Sequence, residues 1–92
     1  MKKHTKVFMD YWGYSIADVI PCFGCEGKNG AIVNDVHHLE KRQAGGNKKK
    51  DVPSNLIGLC RPCHTRADEN KDYNDLMKDK LKERILRKTY GW

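Results

Sequence analysis

The sequence has no apolar run long enough to cross a bilayer as a helix, so a membrane-spanning role is not expected. Nor is a secretory signal expected, because Met1, Lys2 and Lys3 lead into polar residues. Aromatics are few, with two Phe, two Trp and four Tyr among 92 residues, and no internal repeat is visible. A chain this short buries too little apolar surface to be comfortably stable by packing alone. It reads as a single domain over residues 1–92, with an additional staple holding it.

The staple is visible in the four cysteines, spaced as Cys22-x-x-Cys25 and Cys60-x-x-Cys63 with 34 residues between the pairs. In the expected intracellular, reducing compartment, paired CxxC units favour metal over disulfide. Cys22, Cys25, Cys60 and Cys63 are therefore expected to hold a structural Zn2+ with no open coordination position. Zinc at such sites contributes folding energy of about 10 kcal/mol or more. A redox role for either pair lacks the βαβ context in which that chemistry usually sits.

Charge points to the partner. A net charge of +6 and a pI near 9.2 suit a polyanion. From Lys41 to Ser54 the sequence KRQAGGNKKKDVPS carries five cations and one anion and no periodic apolar pattern. This is expected to be a loop that docks on phosphate, with Lys41, Arg42, Lys48, Lys49 and Lys50 as DNA-binding residues, joined by Arg61. The alternative for the same residues is a solvated loop.

The elements follow from spacing. Phe8, Tyr11 and Trp12 are helically spaced after Thr5, a candidate cap, and are expected to pack rather than to stack on bases. Pro21 stiffens the approach to the first cysteine pair, where Gly24 is expected to take a positive φ. After the Gly27–Gly30 turn signal, Ala31, Ile32, Val33 and Val36 suit a strand delivering His37 and His38. Asn55 to Leu59 suits a second strand antiparallel to it. Pro62 opens a helix, and Tyr73, Leu76, Met77, Leu81 and Ile85 mark an amphipathic helix over 72–88. His4 lies outside these motifs and is expected at the surface.

With the sulfurs committed to zinc, three histidines remain for other chemistry. The order CxxC, His37-His38, Gly45-Gly46, Asn55-Leu56 and Leu59-Cys60-x-x-Cys63-His64 resembles the HNH endonuclease family over residues 22–69. The resemblance implies a small α+β fold: a ββα-metal (His-Me finger) core stapled by the four-cysteine zinc site, with a flanking N-terminal segment and a C-terminal amphipathic helix. It implies His38 as general base, His37 and His64 as ligands of a catalytic divalent cation (Mg, Mn, Ni, Co or Zn), and Asn55 as the residue holding the loop that orients His38. Many relatives carry aspartate where His37 stands, so the site is expected to offer two imidazoles and no carboxylate of its own, with Asp35 and Glu40 as the candidates to compensate. Adjacent strand residues face opposite ways, so the strand is expected to end or bulge at the histidine pair, and the two could exchange roles.

The activity so implied is metal-dependent hydrolysis of DNA phosphodiesters, by nicking or with a structural preference, leaving 5′-phosphate and 3′-hydroxyl ends. A monomer or weak homodimer in the cytoplasm of a bacterial host, within a larger phage or recombination complex, fits that family. Two alternatives stay open: a non-catalytic, zinc-organised nucleic-acid-binding module, and a zinc-organised protein adaptor.

Overall fold

The computed structural model describes residues 2–40 and 50–91. Lys41, Arg42, Gly45-Gly46, Lys48 and Lys49 lie outside the described residues. The chain forms a small α+β structure around a two-stranded antiparallel sheet.

Helix α1, Lys3–Trp12, begins after extended Lys2 and ends on left-handed Gly13. Thr5 is thus inside the helix and does not cap it. Phe8 is fully buried and lies 5.3 Å from the ring of Phe23, while Trp12 meets Phe23 edge-on at 5.4 Å. Burial of this aromatic face, rather than a cap, holds α1 on the sheet.

Strand β1, Asp35–His38, pairs antiparallel with strand β2, Leu56–Leu59, in a register that sets His37 opposite Ile57 and His38 opposite Leu56. β1 is shorter than the apolar residues before it suggest. Ala31 and Val33 lie outside any strand and Ile32 makes only an isolated bridge to Pro21, because this stretch crosses the first cysteine turn. β1 ends at His38, as the histidine pair requires. β2 is buried along its length, and a Cβ at Gly58 would come within 2.7 Å of Phe8 and 2.9 Å of Val33. Glycine there lets α1 approach the sheet.

Helix α2, Arg61–Glu69, follows β2 directly, with Cys60 as its N-cap residue and Pro62 in its first turn, where no backbone N–H is needed. Helix α3, Lys71–Tyr90, starts where the Asn70 side chain accepts the Tyr73 N–H at 3.0 Å and stops at left-handed Gly91. Its inner face is built from Tyr73, Met77, Leu81 and Ile85, four residues apart. Leu76 does not belong to it. One residue off this row, about 100° around the helix, it is 47% exposed. The helix therefore spans 71–90 and its apolar stripe is narrower than the leucine spacing suggests.

Candidate active site and metal centres

The four cysteine sulfurs lie within 4.8 Å of one another and form no disulfide. Cys22 Sγ accepts backbone N–H groups from Gly24 (3.3 Å), Cys25 (3.5 Å) and Cys60 (3.2 Å), and Cys63 Sγ accepts the Tyr73 hydroxyl at 3.3 Å. Burial pushes the Cys22 thiol up, but those three N–H groups outweigh it and bring the thiol down to about 7. Burial pushes Cys60 up to about 12, and raises Cys25 and the Tyr73 hydroxyl too. A set of four soft donors, one already favouring thiolate, fits a tetrahedral zinc ion.

Gly24 has a different role from the one expected. Positive φ falls on Glu26 (58°) and Gly27 (77°), not on Gly24. A Cβ at Gly24 would instead lie 2.9 Å from Leu59, 3.0 Å from Met77 and 3.4 Å from Cys63. Close packing of the cysteine turn on β2 and α3 demands glycine there.

A second donor cluster forms across β1 and α2. The donor atoms of His37, His64 and Asp68 lie within 4.8 Å of one another. Asp68 reaches toward both rings, with Oδ1 at 3.6 Å from His37 Nδ1 and Oδ2 at 3.4 Å from His64 Nε2. The outer nitrogens are held from behind. Asn74 donates its amide N–H to the Leu39 carbonyl at 2.9 Å, so its Oδ1 is turned to accept from His37 Nε2 at 2.7 Å. Asp35 Oδ2 accepts from His64 Nδ1 at 3.2 Å. These bonds leave the lone pairs of His37 Nδ1 and His64 Nε2 facing Asp68. Metal-binding histidines are ordinarily supported in this way.

Burial, opposed by the Asn74 hydrogen bond and the Asp68 charge, holds the His37 imidazole below its ordinary range, so it is neutral near pH 7. Two imidazoles and a carboxylate with an open side fit one catalytic divalent cation. The carboxylate that groups with the His37 and His64 donor atoms is that of Asp68. Asp35 stands behind His64, and exposed Glu40 pairs with Lys50. The Lys50 hydrogen bond, more than its charge, lowers the Glu40 pKa.

His38 turns the other way from His37, toward α1 and the 50–52 segment. Its Nε2 lies 2.7 Å from Oδ1 of buried Asp51, and its ring centroid is 4.6 Å from that of His4. An ionised carboxylate only accepts, so Nε2 carries the hydrogen and Nδ1 the lone pair. Asn55 ties this region together. Its side chain accepts the Glu40 N–H at 2.8 Å and donates to the carbonyls of Glu40 (3.0 Å) and Lys50 (2.9 Å), so Glu40 and Lys50 meet on one amide.

The three imidazoles nonetheless border one cleft of about 830 Å³, lined by His37, His38, His64 and Asp68 with His4 and Asp35. His38 reaches it as the last residue of its strand. Arg61 stands at its edge, its Nε 3.3 Å from Asp35. His4 is half-buried against His38, not on the open surface. Asp68 had a visible signal, the four-residue step from His64 that sets two side chains on one helical face. His4, Asp51 and Asn74 had none, since each arrives from an element distant in sequence.

A family model for HNH endonucleases matches residues 22–70, just over half of the chain. The chain belongs to the HNH endonuclease family. The HNH match takes in both cysteine pairs, His37, His38, Asn55, His64 and Asp68, and leaves His4 and Asn74 outside it. Membership supports a nuclease-type, metal-binding domain for which DNA is a plausible substrate. Comparison with curated proteins and with solved structures gave no match. Among the described residues no helix is long and apolar enough to cross a membrane.

Proposed function

We propose that this chain is a metal-dependent DNA endonuclease, a single domain in which sulfur holds the scaffold and nitrogen performs hydrolysis. The observation that carries this reading is the convergence of His37, His38, His64 and Asp68 on one cleft within an HNH match.

In this reading the phosphodiester enters the cleft with the phosphorus in line between an attacking water and its 3′ oxygen. His38 Nδ1 takes the proton of that water, and the Nε2–H donated to Asp51 fixes the ring and stabilises the imidazolium that forms. Asn55 fixes the loop on which Asp51 stands. His37, His64 and Asp68 hold the divalent cation, which when bound stabilises charge developing on the phosphate and the departing 3′ oxygen. That donor set favours Mn, Ni, Co or Zn over Mg. The products are a 5′-phosphate and a 3′-hydroxyl. One such site per chain makes a nick, and a second cut needs a second chain or a second encounter. Lys50, Arg61 and the neighbouring basic residues outside the described set contribute phosphate contacts.

The test is purified protein on supercoiled plasmid with Mn2+, Ni2+ or Mg2+, beside His38→Ala. Conversion to open circles that fails in the variant supports the proposal. Plasmid binding without cleavage under every metal would favour a non-catalytic nucleic-acid-binding module.

A further inference from the structure

His38 belongs to a third donor cluster that the nuclease reading does not use as such. The donor atoms of His4, His38 and Asp51 lie within 4.8 Å of one another, on the side of β1 opposite His37. The His4 and His38 rings are tilted 55° at a centroid distance of 4.6 Å. Each donor comes from a backbone that is independently fixed. His4 sits on the first turn of α1, one turn before fully buried Phe8. His38 ends β1 in register with Leu56. Asp51 lies between two pinned carbonyls, that of Lys50 accepting from the Asn55 side chain and that of Val52 from the Asn55 N–H, each at 2.9 Å. His4 and His38 also line the open cleft, which provides an entry path.

We propose that His4, His38 and Asp51 form a third cation site, for Zn2+ or a similar late first-row ion, whose occupancy switches the nuclease off. Two imidazoles and one carboxylate select such ions over hard, oxygen-seeking ones. Ligands at about 2.0–2.2 Å around a tetrahedral ion stand roughly 3.3 Å apart. The 2.7 Å pair of His38 and Asp51 therefore opens by roughly half an ångström as the ion replaces the shared proton.

The inhibitory half of the proposal rests on His38 being the base. A neutral imidazole has one lone-pair nitrogen, and whichever nitrogen binds the ion, the other then carries the hydrogen. No acceptor is left for the proton of water. Adjacent strand residues face opposite sides, so this site and the His37 cluster share no ligand.

The experiment measures zinc per chain by equilibrium competition with a chromophoric chelator, in a His64→Ala/Asp68→Ala background that removes the other imidazole site. Two zinc ions are expected, one in the four sulfurs and one at His4, His38 and Asp51. Adding His4→Ala should weaken the second by about tenfold or more, as loss of a supporting group alone does. His4→Gln keeps the packing of α1 and gives the same result if His4 is a ligand. One zinc per chain in the background protein, or two that neither His4 variant disturbs, would overturn the site whatever the nuclease assay gives.

In the otherwise wild-type chain with Mn2+, with each protein's rate taken relative to its own zinc-free rate, His4→Ala should need about tenfold more zinc for half-inhibition. Zinc inhibition unchanged by His4→Ala would overturn the switch and leave the site. A protein that binds the second zinc but never cuts would keep the site and remove the nuclease reading on which the switch rests.

Discussion

His37 Nε2 donates to Asn74 Oδ1 across 2.7 Å, and this bond from α3 decides which nitrogen of the imidazole is free for a cation. Asn74→Ala should weaken Mn2+ or Co2+ binding at His37, His64 and Asp68 by about 10–100-fold, with a matching rise in the metal needed for cleavage. Metal titration followed by cleavage checks this. An unchanged midpoint would mean that His37 is oriented some other way.

Asp68 and His38 should fail in different ways. Asp68→Ala loses cation affinity, and cleavage falls with it. His38→Ala should cost about 10²–10⁴-fold in rate while leaving cation affinity at His37, His64 and Asp68 in place. Rate and metal binding measured on both variants separate a base from a ligand, and also decide whether His37 and His38 have exchanged roles.

Because burial lowers the His37 pKa in the folded chain, the unfolded chain takes up that proton first as the medium is acidified. Stability of protein free of cation at this site should fall as pH drops through about 6.5, the unfolded value, and level off below the folded one. Denaturant unfolding from pH 8 to 5 should show this slope in wild type and a shallower one in His37→Gln.

The zinc staple is expected to be essential to the fold. A strong chelator at neutral pH should abolish helical circular dichroism and cleavage together, since zinc at such sites contributes about 10 kcal/mol or more to folding. Zinc alone should restore the helices.

Gly58→Ala should destabilise by about 1–3 kcal/mol, because its Cβ would overlap the Phe8 ring and Val33 within the core. Thermal unfolding reads this loss without reference to activity.

Much of the site was legible because short motifs encode it. Cysteine pairs, adjacent histidines and the Asn55 to His64 run are local patterns whose spacing survives folding; α2 follows from Pro62 and α3 from apolar spacing, whereas β1 keeps only Val36 of the apolar residues that suggested it. Asp68 was missed although it stands one helical turn from His64, because it looks like any solvent-facing acid on α2. Asn74, His4 and Asp51 were not legible. Asn74 on α3 and His4 on α1 reach the site only because Met77, Leu81 and Phe8 pack those helices on the sheet, and Asp51 stands in a basic run that reads as a phosphate-docking loop. Gly24 was misread for a related reason: close approach to Leu59 and Met77 is tertiary, whereas positive φ is the local habit of glycine.

The account rests most directly on where cations bind, and diffraction with anomalous scattering from crystals grown with Zn2+ and Mn2+ tests it. Zinc is predicted among Cys22, Cys25, Cys60 and Cys63, with manganese bonded to His37 Nδ1, His64 Nε2 and Asp68 beside the His38 ring. Manganese held by Asp35 or Glu40 instead, or no manganese between His37 and His64, would contradict it.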